Sequence, residues 1–331
     1  MKALVAPLLA CCVAALGIAP ARAAEDAKGP KPAAAESRPA VQASSTENVD
    51  PARFGGAAAD AAYGAFQRGL YITALNLAKP RAEEGDPAAQ TLIAEIHSRG
   101  LGVARNEAEA AKWYARAAEQ GVPEAQFQYA LLLIDGRFAE ADPERAFALM
   151  QAAADGGNRL AQFNLAQMII DREPGGGGLA KAVAYYERAA EAGLADAQYA
   201  MAQVLANGVG GRTLDEAAAK AWLVRAARQN YDTAQLDLGT WLVEGRGGAG
   251  DEKAGFAWLK RAAEGGNVAA QNRLAKLYRD AIGTEGDPVL AAAWYMLARR
   301  AGLKDPMMED HLGGLTEEQT KLALERANRL R

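Results

Sequence analysis

The chain has 331 residues, 37 of them basic and 41 acidic, and its formal net charge of −4 argues against a general nucleic-acid binder. Half of the residues are apolar but only 7% are aromatic, and the abundance of Ala and Gly points to helices in close approach rather than a thick β-sandwich. Two histidines (His97, His311) and two cysteines (Cys11, Cys12) exclude a zinc-finger or Cys/His metal framework.

Residues 1–23 read as a secretory signal peptide. Lys2 and the amino terminus supply the positive start, an apolar stretch runs from Ala3 to Ala19, and Ala21-Arg22-Ala23 follows Pro20 as a small-x-small cleavage pattern. Cleavage after Ala23 predicts a periplasmic chain without cysteines, stabilised by packing and not by disulfides. An uncleaved anchor and lipid attachment at Cys11 are the alternatives. No other apolar stretch is long enough to span a bilayer, so the mature chain is expected to have no membrane span. Residues 24–50 are rich in Ala, Pro, Lys, Glu and Ser and contain no aromatic residue, the composition of a disordered linker.

Beyond residue 85 the sequence repeats. The dipeptide Ala-Gln begins at Ala89, Ala125, Ala161, Ala197, Ala234 and Ala270, at intervals of 36 or 37 residues. Trp113, Leu149, Tyr185, Trp222, Trp258 and Trp294 keep the same phase, with a small residue three positions before each. Gly121, Gly157, Gly193, Asn230, Gly266 and Gly302 close the units. Each unit predicts a helix pair. In residues 86–121 the first helix places Ala89, Ile93, Ile96, His97 and Gly100 on one face, and Gly100-Leu101-Gly102-Val103 turns the chain. A second helix from about Glu107 to Gln120 carries the stripe Ala110, Trp113, Tyr114, Ala117 and Ala118. Position 94 and its equivalents (Ala94, Ala130, Ala166, Ala202, Gly239, Ala275) are small, which admits a neighbouring helix. A single hairpin of this kind cannot bury its stripe, so the units must stack: the fold class is all-α, an α/α solenoid. Trp222 and Trp258 are expected to be buried between adjacent hairpins.

The unit from Ala89-Gln90 through Gly100-Leu101-Gly102-Val103 to Ala110-Ala111-Lys112-Trp113-Tyr114-Ala115-Arg116-Ala117-Ala118-Glu119-Gln120-Gly121 resembles a Sel1-like repeat, a relative of the tetratricopeptide repeat. The resemblance covers residues 86–305. Residues 51–85 are similar to a further, tetratricopeptide-like helical pair, with Ala61, Tyr63, Gly69, Tyr71 and Ala74 at suitable places. The resemblance implies right-handed superhelices that bind other proteins, often exported in bacteria, and no shared catalytic residues. The cysteine pair that some exported relatives carry in each repeat is missing, so their suggested β-lactam chemistry does not transfer. Two departures stand out. The third unit replaces its turn glycine with Asp171-Arg172-Glu173-Pro174 and four glycines, Gly175–Gly178, which predicts a mobile surface loop. The sixth replaces the second Ala of its last turn with Arg299. Residues 306–331 are expected to form a C-terminal cap, with an atypical loop around His311, a capping box from Thr316 to Gln319, and Leu315, Leu322 and Leu324 covering the open end.

Signatures of chemistry are absent. No Walker loop, G-x-S-x-G, H-E-x-x-H or dinucleotide fingerprint occurs, and the glycine runs at Gly208 and Gly245 fall at the repeat period between helices. His97 reads as a partly buried structural histidine and His311 as an exposed one. No enzyme, metal or cofactor is expected. If the residues at positions 91, 95 and 98 of the first helices face away from the inter-helix stripe, they line a groove that is apolar in the middle units and polar at the ends. Phe127, Leu131, Ile134, Phe163, Tyr199 and Leu236 are then the candidate contacts for a protein or peptide partner. Packing of the same side chains against the next repeat is the competing reading. The expected function is that of a periplasmic or exported interaction scaffold. A subunit of a polysaccharide-export or surface assembly is one alternative; a cell-wall hydrolase is another, weakened by the lack of a nucleophile–base constellation.

Overall fold

A computed structural model describes residues 60–330. The expected signal peptide and linker, residues 1–50, lie outside the described residues. The described chain is helical throughout, with no strand, and divides into two compact units, 60–168 and 169–330. The first contains α1 (Ala61–Gln67), α2 (Tyr71–Glu83), α3 (Pro87–Arg99), α4 (Glu107–Glu119), α5 (Pro123–Asp135), α6 (Pro143–Asp155) and most of α7 (Arg159–Arg172). The second contains the end of α7, then α8 (Gly176–Glu191), α9 (Ala195–Asn207), α10 (Glu216–Arg228), α11 (Asp232–Glu244), α12 (Glu252–Glu264), α13 (Val268–Asp280), α14 (Pro288–Arg300), α15 (Pro306–Gly313) and α16 (Glu317–Arg329). Packing runs between helices adjacent in sequence, from α1 to α6 in the first unit and from α8 to α14 in the second. This is the pattern of an all-α solenoid.

The repeat markers explain themselves once the helices are paired. Positions 94 and 110 are where the two helices of a hairpin touch. Ala94, Ala130, Ala166 and Ala275, and likewise Ala110, Ala146, Ala182, Ala219 and Ala291, are fully buried. The fifth repeat has glycine on both sides. A Cβ on Gly239 would lie 2.9 Å from the Gly255 carbonyl oxygen, and one on Gly255 would lie 2.8 Å from the Gly239 carbonyl oxygen. The backbones of α11 and α12 are therefore in contact.

The large core side chain of each second helix stands one residue after the Trp marker. Tyr114, Met150, Tyr186, Leu223, Leu259 and Tyr295 are all 0–2% exposed. Trp222 and Trp258, expected in the core, are only half-buried at its edge. The physical reason is the 100° step between successive helix residues: the stripe through Ala110, Tyr114, Ala117 and Ala118 faces inward and leaves position 113 on its flank in the first five repeats, whereas Trp294 of the sixth is itself buried. There the ring receives the guanidinium one turn later. Arg116, Arg188, Arg225 and Arg261 lie over Trp113, Tyr185, Trp222 and Trp258 at 4.8, 5.5, 4.4 and 5.8 Å from the ring centroids.

The glutamine of the Ala-Gln pair is a buried clamp. The Nε2 groups of Gln90, Gln126, Gln162, Gln198, Gln235 and Gln271 donate to the carbonyl oxygens of Ala82, Ala118, Ala154, Ala190, Ala227 and Ala263 at 3.0–3.4 Å. Each acceptor lies in the last turn of the preceding second helix and also receives the backbone N–H of the closing residue three positions on, at 3.0–3.2 Å. The glutamine adds a second hydrogen bond to that oxygen and ties each repeat to the helix before it. It also places α2 in the second-helix role: Gln90 grips Ala82, and Ala74, Ala78 and Ala82 form its buried stripe.

Second helices start on a side-chain cap. Asn106, Asp142, Asp215 and Asp251 each accept from the backbone N–H three residues on, at 2.9–3.0 Å, a contribution of about 1 kcal/mol apiece. The third repeat breaks this rule, and the expected mobile loop is not what forms. Gly176, Gly177 and Gly178 are the first turn of α8, and Gly178 is buried where a Cβ would collide with the Glu173 carbonyl oxygen. Lys181 reaches back to the Glu173 carboxylate at 2.7 Å. Within the run it is Gly178 that serves a tight backbone approach between the turn and the helix, whereas a Cβ on Gly176 or Gly177 would meet nothing.

First helices end on a left-handed residue. That residue is Gly100, Gly136, Gly208 and Gly245 in four repeats but Ala281, at φ 56°, in the sixth. A left-handed alanine costs about 1 kcal/mol. Ala281→Gly is expected to stabilise the fold by up to about 1 kcal/mol, after the added freedom of the unfolded chain is subtracted. A urea titration showing an equal or lower midpoint would contradict this.

The C-terminal segment differs from expectation in two respects. The stretch around His311 is a helix, α15, and His311 Nε2 lies 3.0 Å from the Pro288 carbonyl oxygen. On α16 the residues that pack are Ala323 and Ala327, both fully buried, while Leu322 and Leu324 are 41% and 46% exposed. Small residues let α16 lie close on α14, whereas the leucines fall on the outer face. The capping box of Thr316 and Gln319 is formed. Arg299 is explained by the cap as well, since its Nε pairs with Glu309 of α15 at 3.0 Å.

Candidate partner-binding face

The candidate contacts lie on first helices: Phe127, Leu131 and Ile134 on α5, Phe163 on α7, Tyr199 on α9 and Leu236 on α11. Their exposures divide them. Phe127 and Phe163 are 4% and 8% exposed and belong to the interior. Leu131, Tyr199 and Leu236 are half-buried, and Ile134 is 44% exposed. For the two phenylalanines this burial favours the competing reading, packing in the interior, over a place in an open groove. The second unit shows the reason. Tyr199, at the same repeat position as Phe127 and Phe163, directs its hydroxyl to Asp237 on the next first helix at 3.0 Å. In this unit the position faces the following repeat rather than open solvent.

Around Tyr199 the second unit assembles a polar cluster that the sequence did not mark. Asp237 Oδ2 accepts from the Tyr199 hydroxyl and from Gln203 Nε2, at 3.0 and 3.1 Å. The Tyr231 ring lies 5.2 Å from that of Tyr199. Burial pushes the Asp237 carboxyl above its ordinary value, against the opposing hydrogen bonds and the more distant charges of Arg273 and Arg246. The Tyr199 hydroxyl is pushed up by burial first and by the neighbouring Asp237 charge second. Repeat spacing reveals the alanine and glutamine columns, but Asp237 has no acidic equivalent in the other repeats, so no periodic signal could have found it.

His97 is half-buried, its Nδ1 is sealed from solvent without a partner, and burial lowers its pKa. Glu95 accepts a hydrogen bond from the buried Tyr114 hydroxyl at 3.0 Å. Among the described residues no group of three or more His, Cys, Asp or Glu side chains is placed to hold a metal ion, and no helix is long and apolar enough to cross a membrane.

The clamp glutamines, the paired small residues and the closing glycines define one unit repeated six times. The Sel1 repeat family model matches the same six segments, residues 87–122, 123–158, 159–194, 195–231, 233–267 and 268–303. The chain is a Sel1 repeat protein. A Sel1 repeat protein from Oxalobacter formigenes is similar at 25% identity over 75% of this chain and 100% of its own length, with a TM-score of 0.61. A protective antigen of uropathogenic Escherichia coli strains, described as displaying an SLR fold, is similar at 27% identity over 78% of this chain, with a TM-score of 0.55. The match spans 64% of that antigen's length. No curated protein is matched. Sel1 repeats commonly mediate protein binding, and proteins built from them generally act as non-enzymatic interaction scaffolds.

Proposed function

We propose that this Sel1 repeat protein is an exported scaffold, acting in the periplasm, that takes a protein or peptide partner on the first-helix faces of its repeats. The observation that supports this most is the incomplete covering of apolar side chains on those helices. Leu131 and Ile134 in the first unit, and Leu236 and the Tyr199 ring in the second, remain reachable beside a buried alanine core. Half-buried anchors of this kind can be desolvated by a partner with little change in the protein itself. Phe127 and Phe163 act in this reading as supports beneath the surface.

Export rests on the sequence of residues 1–23, and intact-mass analysis tests it: the exported protein is expected to begin at Ala24. A mass retaining residues 1–23, or a lipid on Cys11, would refute that processing. Partner binding is tested with Ile134→Ser combined with Leu236→Ser. Cross-linking in intact envelopes is expected to capture a partner on the wild-type protein and to lose it, several-fold or more, on the double variant. The melting temperature should change little, because neither residue is sealed in the core. Undiminished capture by a folded double variant would move the binding surface away from these faces.

A further inference from the structure

The second unit contains a carboxylate whose environment is incomplete. Asp237 is half-buried on α11, and both hydrogen bonds it receives, from the Tyr199 hydroxyl and Gln203 Nε2, end on Oδ2. Among the described residues nothing donates to Oδ1, and this oxygen is not one of the sealed, partnerless polar atoms, which are His97 Nδ1, Gln162 Oε1 and Asn272 Oδ1. It is therefore not fully sealed from solvent. A carboxylate withdrawn from water normally acquires a cation, yet both neighbouring cations are held elsewhere. Arg273 of α13 pairs with Glu244 at 3.4 Å. Arg246, in the turn after α11, pairs with Glu216 at 2.8 Å and lies 4.0 Å from the Trp241 ring centroid. The Tyr199 ring, whose hydroxyl binds this carboxylate, lies 5.2 Å from the Tyr231 ring, and aromatic rings of this kind attract a guanidinium or ammonium group.

We infer that Asp237, with Tyr199, Gln203 and Tyr231, forms a seat for a cationic side chain, a lysine or arginine of the partner; this rests on the scaffold reading above and specifies the chemistry of one of its contacts. The incoming cation donates to Oδ1 while Tyr199 and Gln203 hold Oδ2 in place. Such a charge-assisted bond is stronger than one to a neutral donor. It also stabilises the ionised carboxylate, which burial otherwise disfavours, so occupation releases a proton over the pH range in which free Asp237 is protonated.

The probe is n-butylguanidinium, with butyramide as its neutral counterpart, added to the full exported protein while the Asp237 carboxyl is followed by carbon NMR. Butylguanidinium is expected to lower the Asp237 titration midpoint saturably and to shift the Tyr199 ring signals; butyramide is expected to do neither. In Asp237→Asn the saturable response should weaken about tenfold or more. This variant should remain folded at pH 7. A carboxyl whose pKa is raised on folding loses stability as pH rises through that pKa, and the neutral amide avoids the loss. An equal response to butyramide, no response in the wild type, or an unchanged response in Asp237→Asn would each overturn the inference. The wild-type titration alone suffices if the variant misfolds. Failure here is separable from failure of the scaffold reading. Loss of partner capture in the Ile134/Leu236 variant with silent butylguanidinium titrations would leave the scaffold standing without this seat.

Discussion

Leu259→Ala is expected to destabilise the protein far more than Trp258→Ala, although tryptophan is the larger side chain and the more visible marker in the sequence. Leu259 is 1% exposed and packs with Ala262, Ala263, Leu274 and Ala275 between consecutive repeats. Its truncation leaves a cavity that the backbone contact of α11 and α12 hinders from collapsing. Losses of about 3–5 kcal/mol are typical of such sites. Trp258 is half-buried and shares its ring with the Arg261 guanidinium, so its removal exposes less new apolar surface and opens no closed cavity. We expect about half the cost or less for Trp258→Ala, on the order of 1–2 kcal/mol. Urea unfolding of both variants checks the order. If the tryptophan variant loses as much as the leucine variant, the assignment of position 114 and its equivalents as the core column is wrong.

Gly239→Ala carries the second-largest expectation. Alanine is the ordinary residue at this repeat position and is fully buried in the first, second, third and sixth repeats. In the fifth, the added methyl would meet Leu259 Cγ at 2.7 Å and the Gly255 carbonyl oxygen at 2.9 Å. Leucine can rotate, but a helix backbone can yield only by moving, so α11 and α12 must separate. Overpacking of this kind typically costs about 1–3 kcal/mol. The substitution also improves intrinsic helix propensity by about 1 kcal/mol, so a net loss in a urea titration would isolate the steric term. A net gain would show that the two helices separate freely.

The repeat, its period and the all-α solenoid were legible because one structural problem is solved six times in the same way. A hairpin with a small residue where its helices cross leaves a periodic trace, and so does a glycine where its second helix stops. The glutamine column was equally periodic, but its purpose was hidden. A buried amide reads as polar in sequence, and only the carbonyl eight residues earlier explains it. Among the candidate contacts, repeat phase placed Tyr199 and Phe127 at one position without revealing which way that position points.

The sequence by itself determined the helix-pair unit and its period, which residues are small at the helix crossings, and that hairpins must share a core. These follow from local backbone preference and from the 3.6-residue period, both of which act over a few residues. Tertiary structure alone decided that Leu223 and Leu259 are buried while Trp222 and Trp258 stay at the edge, that Gly176–Gly178 start α8 instead of forming a loop, and that Asp237 meets Tyr199 and Gln203. The Asp237 contacts depend on the separation and rotation of two first helices, with partners 38 and 34 residues apart in the chain. A rotation of a single helix position, about 100°, exchanges core for surface, and no local signal fixes a quantity that small between two elements that distant.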